Sequence, residues 1–245
     1  VVRAMTRAAK NDGRNVLFAL HTGDLVANGR KASHWQNQFF GPAAPLLRHM
    51  CVWPVLGNHE RNSDLYFRYF SLPGNERWYS LNAGGVHFVF LDLHFSDVTP
   101  GSEQYEWLKE DLSENSDRPA VVTFHPSPFS SGPHARKNEK GEFVEKPIAL
   151  AHEHLVPLFA QHNVRIVFSG HDHLYERSKK DGIYYICQGM GGAPSYKTPS
   201  ENPHSQKVIT DTLGYTLVRV REDALEILTR NADSEVIDRV SIPIQ

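Results

Sequence analysis

The chain has 245 residues, 40% of them apolar and 22% charged, which is ample for one α/β domain with a large core. Lys plus Arg (26) nearly balances Asp plus Glu (28), for a net charge of −2. That balance excludes a polybasic footprint for nucleic acid or an anionic membrane surface, and leaves a small phosphate ester open as a partner. No apolar run reaches the length of a membrane span. The two cysteines, Cys51 and Cys187, form no CxxC pattern and argue against a disulfide scaffold or a thiolate zinc site. Histidine is the outlying count, at 14.

In chain order, Val1 to Lys10 reads as a short amphipathic helix, broken at Asn11-Asp12-Gly13. Val16 to Leu20 is a continuous apolar run, as expected of a strand buried on both faces. The same grammar recurs at Val52 to Leu56, Val86 to Leu91, Ala120 to Phe124 and Val164 to Phe168. A helix is expected from Ser102, its cap, to Leu112, and another around Glu153 to Gln161, with Pro157 in its first turn. Strands alternating with helices imply a layered α/β domain, one unit over residues 1–245. Beyond Gly182 the segments Ile183 to Cys187, Leu213 to Val220, Ala224 to Arg230 and Val236 to Ile242 read as an antiparallel closing sheet. Gly189 to Pro203 reads as a long loop.

Polar residues cluster where these apolar runs end. Gly23-Asp24 follows the first run and Gly57-Asn58-His59-Glu60 the second. His125 follows Ala120 to Phe124, and Gly170-His171-Asp172-His173 follows Val164 to Phe168. In open α/β sheets ligands bind at the carboxyl ends of strands. Imidazole and carboxylate together suit zinc, iron or manganese, and an Asp can bridge two ions. Taken singly, each piece has a structural reading: Asp24 as a turn residue, His125 as a loop histidine. The joint pattern points to a metal centre.

These motifs resemble the calcineurin-like metallophosphoesterases, and most of all their purple acid phosphatase branch. That family carries DxG, GDxxY, GNH(D/E), VxxH and GHxH in this order. Gly23-Asp24, Gly57-Asn58-His59-Glu60, Val122-Thr123-Phe124-His125 and Gly170-His171-Asp172-His173 are the counterparts here. Leu174 to Arg177 and Pro73 to Ser80 are also similar to that branch, and the resemblance runs from about Val16 to Ile242.

The resemblance implies a four-layer αββα sandwich and a metal-dependent phosphoric ester hydrolase, an acid-phosphatase-like phosphomonoesterase using a metal-activated hydroxide. The alternatives left open are a phosphodiesterase or nucleotidase, and a weakly active or inactive metal-binding domain. The implied cofactors are two ions of iron, zinc or manganese. Asp24 would bridge them, Asn58, His125 and His171 would complete one site, and His173 would serve the other. His59 would stand beside the ligands, stabilising the transition state or protonating the leaving group, and His134 would face the substrate. His21, His94, His152 and His154 match nothing in the family and read as structural or surface. A secreted or periplasmic location is likewise implied by the resemblance alone.

The sequence departs from the pattern twice. Ala27 stands where the GDxxY tyrosine belongs, so the tyrosinate that colours the purple enzymes is absent; Asn28 or Arg30 is a candidate to compensate. The opening DxG motif is missing, as from an N-terminally truncated domain lacking its first strand, so the site of Asp24 and His173 is expected to be weak or empty.

Overall fold

The computed structural model describes residues 1–11 and 16–244; the break expected at Asp12 and Gly13 lies outside the described residues. In chain order the elements are α1 (Val2–Asn11), β1 (Phe18–His21) and α2 (Ala32–His34), which runs through a π-helical turn (Trp35–Phe40) into α3 (Gly41–Leu47). Then come β2 (Cys51–Pro54), α4 (Asp64–Tyr69), β3 (Tyr79–Ala83), β4 (Val86–Phe90), α5 (Glu103–Glu114) and β5 (Ala120–Pro126). The helical stretch that follows is α6 (Lys146–Leu150), a π-helical segment (Ala151–Leu155) and α7 (Val156–Gln161). Seven strands close the chain: β6 (Val164–Gly170), β7 (Tyr175–Lys180), β8 (Ile183–Gln188), β9 (Ser205–Ile209), β10 (Gly214–Val220), β11 (Ala224–Asn231) and β12 (Val236–Pro243).

The main sheet has seven strands in the order β3-β4-β5-β6-β8-β7-β9. Its centre, β4 to β8, is parallel, and its flanks are antiparallel. A parallel pair β1-β2 and an antiparallel trio β10-β11-β12 form two smaller sheets. One core packs Val89, Val122, Phe124 and Val167 against Leu108, Leu112 and Phe159 of α5 and α7. A second packs the opposite face (Phe88, Phe90, Val121, Ile166) against Val55 beyond β2 and Leu225, Ile227 and Ile242 of the trio. A third gathers Trp35, Phe39, Leu56 and Tyr66 beneath the helices on the far side. The layers are therefore helix, sheet, paired sheets, helix: the αββα sandwich.

Ser102 caps α5 as expected, its Oγ accepting from the Tyr105 backbone N–H at 3.4 Å. The helix expected from Glu153 begins earlier, at Lys146. Ile183 to Cys187 does not join the antiparallel sheet. As β8 it runs parallel to β6, because its continuous apolar side chains are covered on both faces. Three strands escaped the sequence reading. β9 is polar because it is the sheet's edge strand, β7 carries a buried Glu176 that is satisfied by Ser131 and Asn202, and β3 is short and alternates.

Candidate metal centre

The motifs lie on two different sheets. β1 and β2 pair in parallel and send out Asp24 and Asn58, whereas β5 and β6 belong to the seven-stranded sheet and send out His125 and His171. Their carboxyl ends meet, and one atom marks the meeting point. His125 Nε2 lies 3.1 Å from Asp24 Oδ2, 3.2 Å from Asn58 Oδ1 and 3.1 Å from His171 Nδ1.

The backbone is shaped for this approach. Asp24 (φ 55°) and His171 (φ 69°) both occupy the left-handed region, which costs a residue with a side chain on the order of 1–3 kcal/mol and persists where surroundings enforce it. Gly57 passes so close to Asp24 that a Cβ there would collide with the carboxylate. Gly23 (φ 89°) packs on the His125 ring, where a Cβ would lie 2.7 Å from Nδ1. Buried Glu60 ties the two loops together by accepting from the backbone N–H groups of Asp24 (2.8 Å), Leu25 (2.7 Å) and Gly57 (2.7 Å). Burial and the charge of Asp24 push its carboxyl up to about 7, against the pull of those donors.

Whether a cation fits can be read from the tautomers. His125 Nδ1 donates to the Thr22 carbonyl at 2.7 Å, which turns Nε2 toward the cluster as a lone pair. His171 Nε2 donates to Glu145 Oε2 at 2.8 Å, which turns Nδ1 the same way. Partial burial of Asp24 opposes its charge, yet the hydrogen bond and charge of His125 hold its carboxyl well below the usual range. The His125 imidazole is raised in turn, against its burial, mainly by Asp24. A proton and a metal ion would compete for the same place, so the residues fit a transition-metal ion.

His173 stands apart. Its Nδ1 donates to the Pro194 carbonyl at 2.9 Å, and its ring stacks on Tyr196 with centroids 4.0 Å apart and planes at 16°. Among the described residues, no group of three metal-capable side chains includes His173. Ala27 offers only backbone: its N–H donates to Gln38 Oε1 and its carbonyl accepts from His59 Nδ1 at 3.0 Å. Asn28 Oδ1 closes a turn by accepting from the Arg30 N–H at 3.1 Å.

His59 is the exposed residue of the group. Its N–H donates to Asp24 Oδ1 at 2.9 Å, and its Nε2 stands 4.0 Å from Asp24 Oδ2. His134 comes from a separate turn, Pro133–Ala135, and its ring lies 3.8 Å from that of His171. Its N–H donates to buried Asp172 Oδ1 at 3.1 Å, while Nδ1 meets Glu145 Oε1 at 2.5 Å. That carboxylate raises the His134 imidazole. Although burial opposes it, the bonds from His134 and His171 hold Glu145 itself well below the ordinary carboxylate range.

Two further residues lie against this group. Glu145 sits in no motif and acts only through the fold. His94, which matches nothing in the family pattern, has its ring 5.3 Å from that of His125 and 5.6 Å from that of His171. Burial, then the two neighbouring histidines, push it down to about 3, so it is neutral. Its position after Val86 to Leu91, like that of His125 after Ala120 to Phe124, was the available signal. His21 and His152 pack against aromatic rings, Phe39 and Phe143 in turn. The His21 carbonyl accepts from the Val55 N–H, and His152 bonds the Pro128 carbonyl and stacks on Phe143. His154 is partly buried beside Glu153. Both cysteines are free; Cys187 is buried and donates to the carbonyls of Gly170 and Asp172, bracing the His171 turn. None of the described helices is long and apolar enough to cross a membrane.

Among curated proteins, the chain is 35% identical over 209 residues to probable purple acid phosphatase 20 of Arabidopsis thaliana, covering 73% of this chain and 47% of that protein. It is 29% identical over 229 residues to acid phosphatase type 7 of Danio rerio, covering 80% of this chain and 48% of that protein. The chain thus spans about half the length of these relatives or less. Among solved structures, purple acid phosphatase PPD1 from yellow lupin superposes with a TM-score of 0.81 at 20% identity, covering 99% of this chain and 48% of that one. GAP50, the anchor in the inner membrane complex of Plasmodium, gives 0.73 at 17% identity, covering 100% of this chain and 83% of that one. These two likenesses establish the fold. The sequence profile described as calcineurin-like phosphoesterase matches residues 2–175, and the chain belongs to that family, alongside its purple acid phosphatase relatives.

Proposed function

We propose that this chain is the catalytic domain of a metal-dependent phosphoric ester hydrolase acting on a small phosphomonoester. The observation that carries the reading is the approach of Asp24, Asn58 and His171 to within 3.2 Å of His125 Nε2. Asp24, Asn58, His125 and His171 would hold one ion, and Asp24 and His173 a second, weaker one. Bound ions would polarise the phosphoryl oxygens and lower the pKa of a water.

The chain's own residues supply the remainder. His59 Nδ1 is tied to the Ala27 carbonyl, which leaves Nε2 beside Asp24 and open to solvent, where it can donate to a phosphoryl oxygen or the leaving group. Glu145 favours the imidazolium form of His134, a cation suited to a phosphate dianion. The near-neutral surface fits a small ester better than a polyanion. A secreted or periplasmic setting belongs to this reading and rests on the resemblance.

A second reading, a weakly active metal-binding domain, is favoured by the sparse donors beside His173. One titration tests both. Manganese or zinc is added to the chelated protein while hydrolysis of a chromogenic phosphate ester and bound metal are followed. One tight ion, with activity rising as a second weaker one binds, is expected. Two bound ions without hydrolysis would favour the second reading, and no bound metal would overturn both.

A further inference from the structure

Three neighbouring parallel strands end at the same edge of the main sheet. β4, β5 and β6 are consecutive in the sheet order, and the chain segments at or just beyond their carboxyl ends carry His94, His125 and His171. The loop bearing His94 is held firmly. Asp92, fully buried, accepts from the backbone N–H groups of His94 (3.1 Å) and Phe95 (3.0 Å) and from Ser96 Oγ (2.8 Å). Arg77 approaches the same carboxylate at 3.5 Å, and Gln104 bonds both the N–H and the carbonyl of Asp92. The imidazole is thereby turned inward. Its ring is inclined at 51° to His125 and 63° to His171, and one nitrogen from each of the three rings lies within 4.8 Å of the others. His94 Nε2 is buried and has no hydrogen-bond partner among the described residues. A buried ring nitrogen left without a partner is unfavourable unless something meets it.

We propose that His94 is a third imidazole donor to the ion held by Asp24, Asn58, His125 and His171. The inference rests on the metal-centre reading above and deepens it. Two nitrogens bound to one zinc at about 2.0–2.1 Å each can lie no more than about 4.2 Å apart, so a small ring rotation closes the set. A site of three imidazoles, one carboxylate and one amide oxygen prefers zinc, iron, cobalt or nickel over the oxygen-seeking manganese and magnesium. His94 is therefore a selectivity residue, and it distinguishes the tight ion from the ion beside His173.

The test uses the whole chain with nitrogen-labelled histidine, loaded with one equivalent of spin-active cadmium. Scalar coupling from cadmium to ring nitrogens of His94, His125 and His171 is expected. Coupling to His125 and His171 without His94 overturns this inference and leaves the metal centre standing. Coupling to none of the three overturns both. Independently, His94→Phe keeps the ring volume and removes the nitrogen. Its zinc affinity, by chelator competition, is expected to fall roughly 10–100-fold, with manganese affinity falling less. A folded variant that binds zinc like the parent would overturn the proposal; if the variant fails to fold, the couplings in the parent chain decide.

Discussion

The two sides of Asp24 are built differently. On the His125 side three donors are fixed by a second partner: His125 by the Thr22 carbonyl, His171 by Glu145, and Asp24 by the His59 N–H. Those donors ride on strand ends, or on turns braced by Glu60 and Cys187. On the other side His173 is half-buried, and a loop carbonyl and the face of Tyr196 hold it. Both of those partners belong to the irregular stretch between β8 and β9. Donors fixed by strands bind an ion without paying much ordering entropy, whereas donors fixed by a loop must be organised as they bind.

The most damaging change to the built side is His125→Ala. It deletes the nitrogen on which Asp24, Asn58 and His171 converge, so both bound metal and ester hydrolysis should fall to background. His173→Ala should leave the tight ion in place. Metal counting on the two variants, each checked for folding by circular dichroism, breaks the comparison if they lose the same amount.

Next in size is His59→Ala. His59 is exposed and touches Asp24 only through its backbone N–H and a 4.0 Å approach, so metal content should be unchanged. The turnover rate should fall by roughly 10²–10⁴-fold, the usual contribution of a positioned acid–base group. Lost metal would move His59 into the ligand set, and full activity would remove it from the chemistry.

Glu145→Gln is smaller. The amide still fills the space, yet it cannot accept from both His134 and His171 as an anion does. Affinity of the tight ion should drop about 10–100-fold, the usual cost of losing a carboxylate behind a ligating histidine. The weak ion beside His173 should not change. Chelator competition on each ion separately would expose a shift of both, which would mean that Glu145 acts on the whole fold.

What could be read beforehand follows the same division. The convergence of Asp24, Asn58, His125 and His171, announced by short motifs after apolar runs, was legible because strand ends deliver side chains to one edge. That these runs would divide between two sheets was not legible, since nothing local in Phe18–His21 distinguishes its sheet from that of Val164–Gly170. Glu145 was invisible because its partners lie 11 and 26 residues away and meet it only through the tertiary fold. His94 had the right position but no motif. β7 and β9 hid behind their polar side chains, and the neighbour of β8 was not legible because an apolar run does not declare which strand it will pair.

The smallest expected effect concerns acid stability, and it places the sensitivity on the built side. His21 is partly exposed, but its Nδ1 is shut from water, and desolvation, then the neighbouring His125, lower its imidazole to about 4. In the unfolded chain it titrates near 6.5. Between those values the unfolded state binds a proton that the folded state does not, so stability falls as pH falls. The slope from this one residue is about 1.4 kcal/mol per pH unit, beginning as pH drops below 6.5 and ending near 4. His21→Phe retains an aromatic ring against Phe39, with which His21 now makes an edge contact at 6.0 Å. Urea unfolding of the chelated proteins between pH 6.5 and 4.5 should give the variant a profile flatter by about that slope. Parallel profiles would show that His21 is protonated in the fold, and that acid sensitivity arises elsewhere than beneath His125.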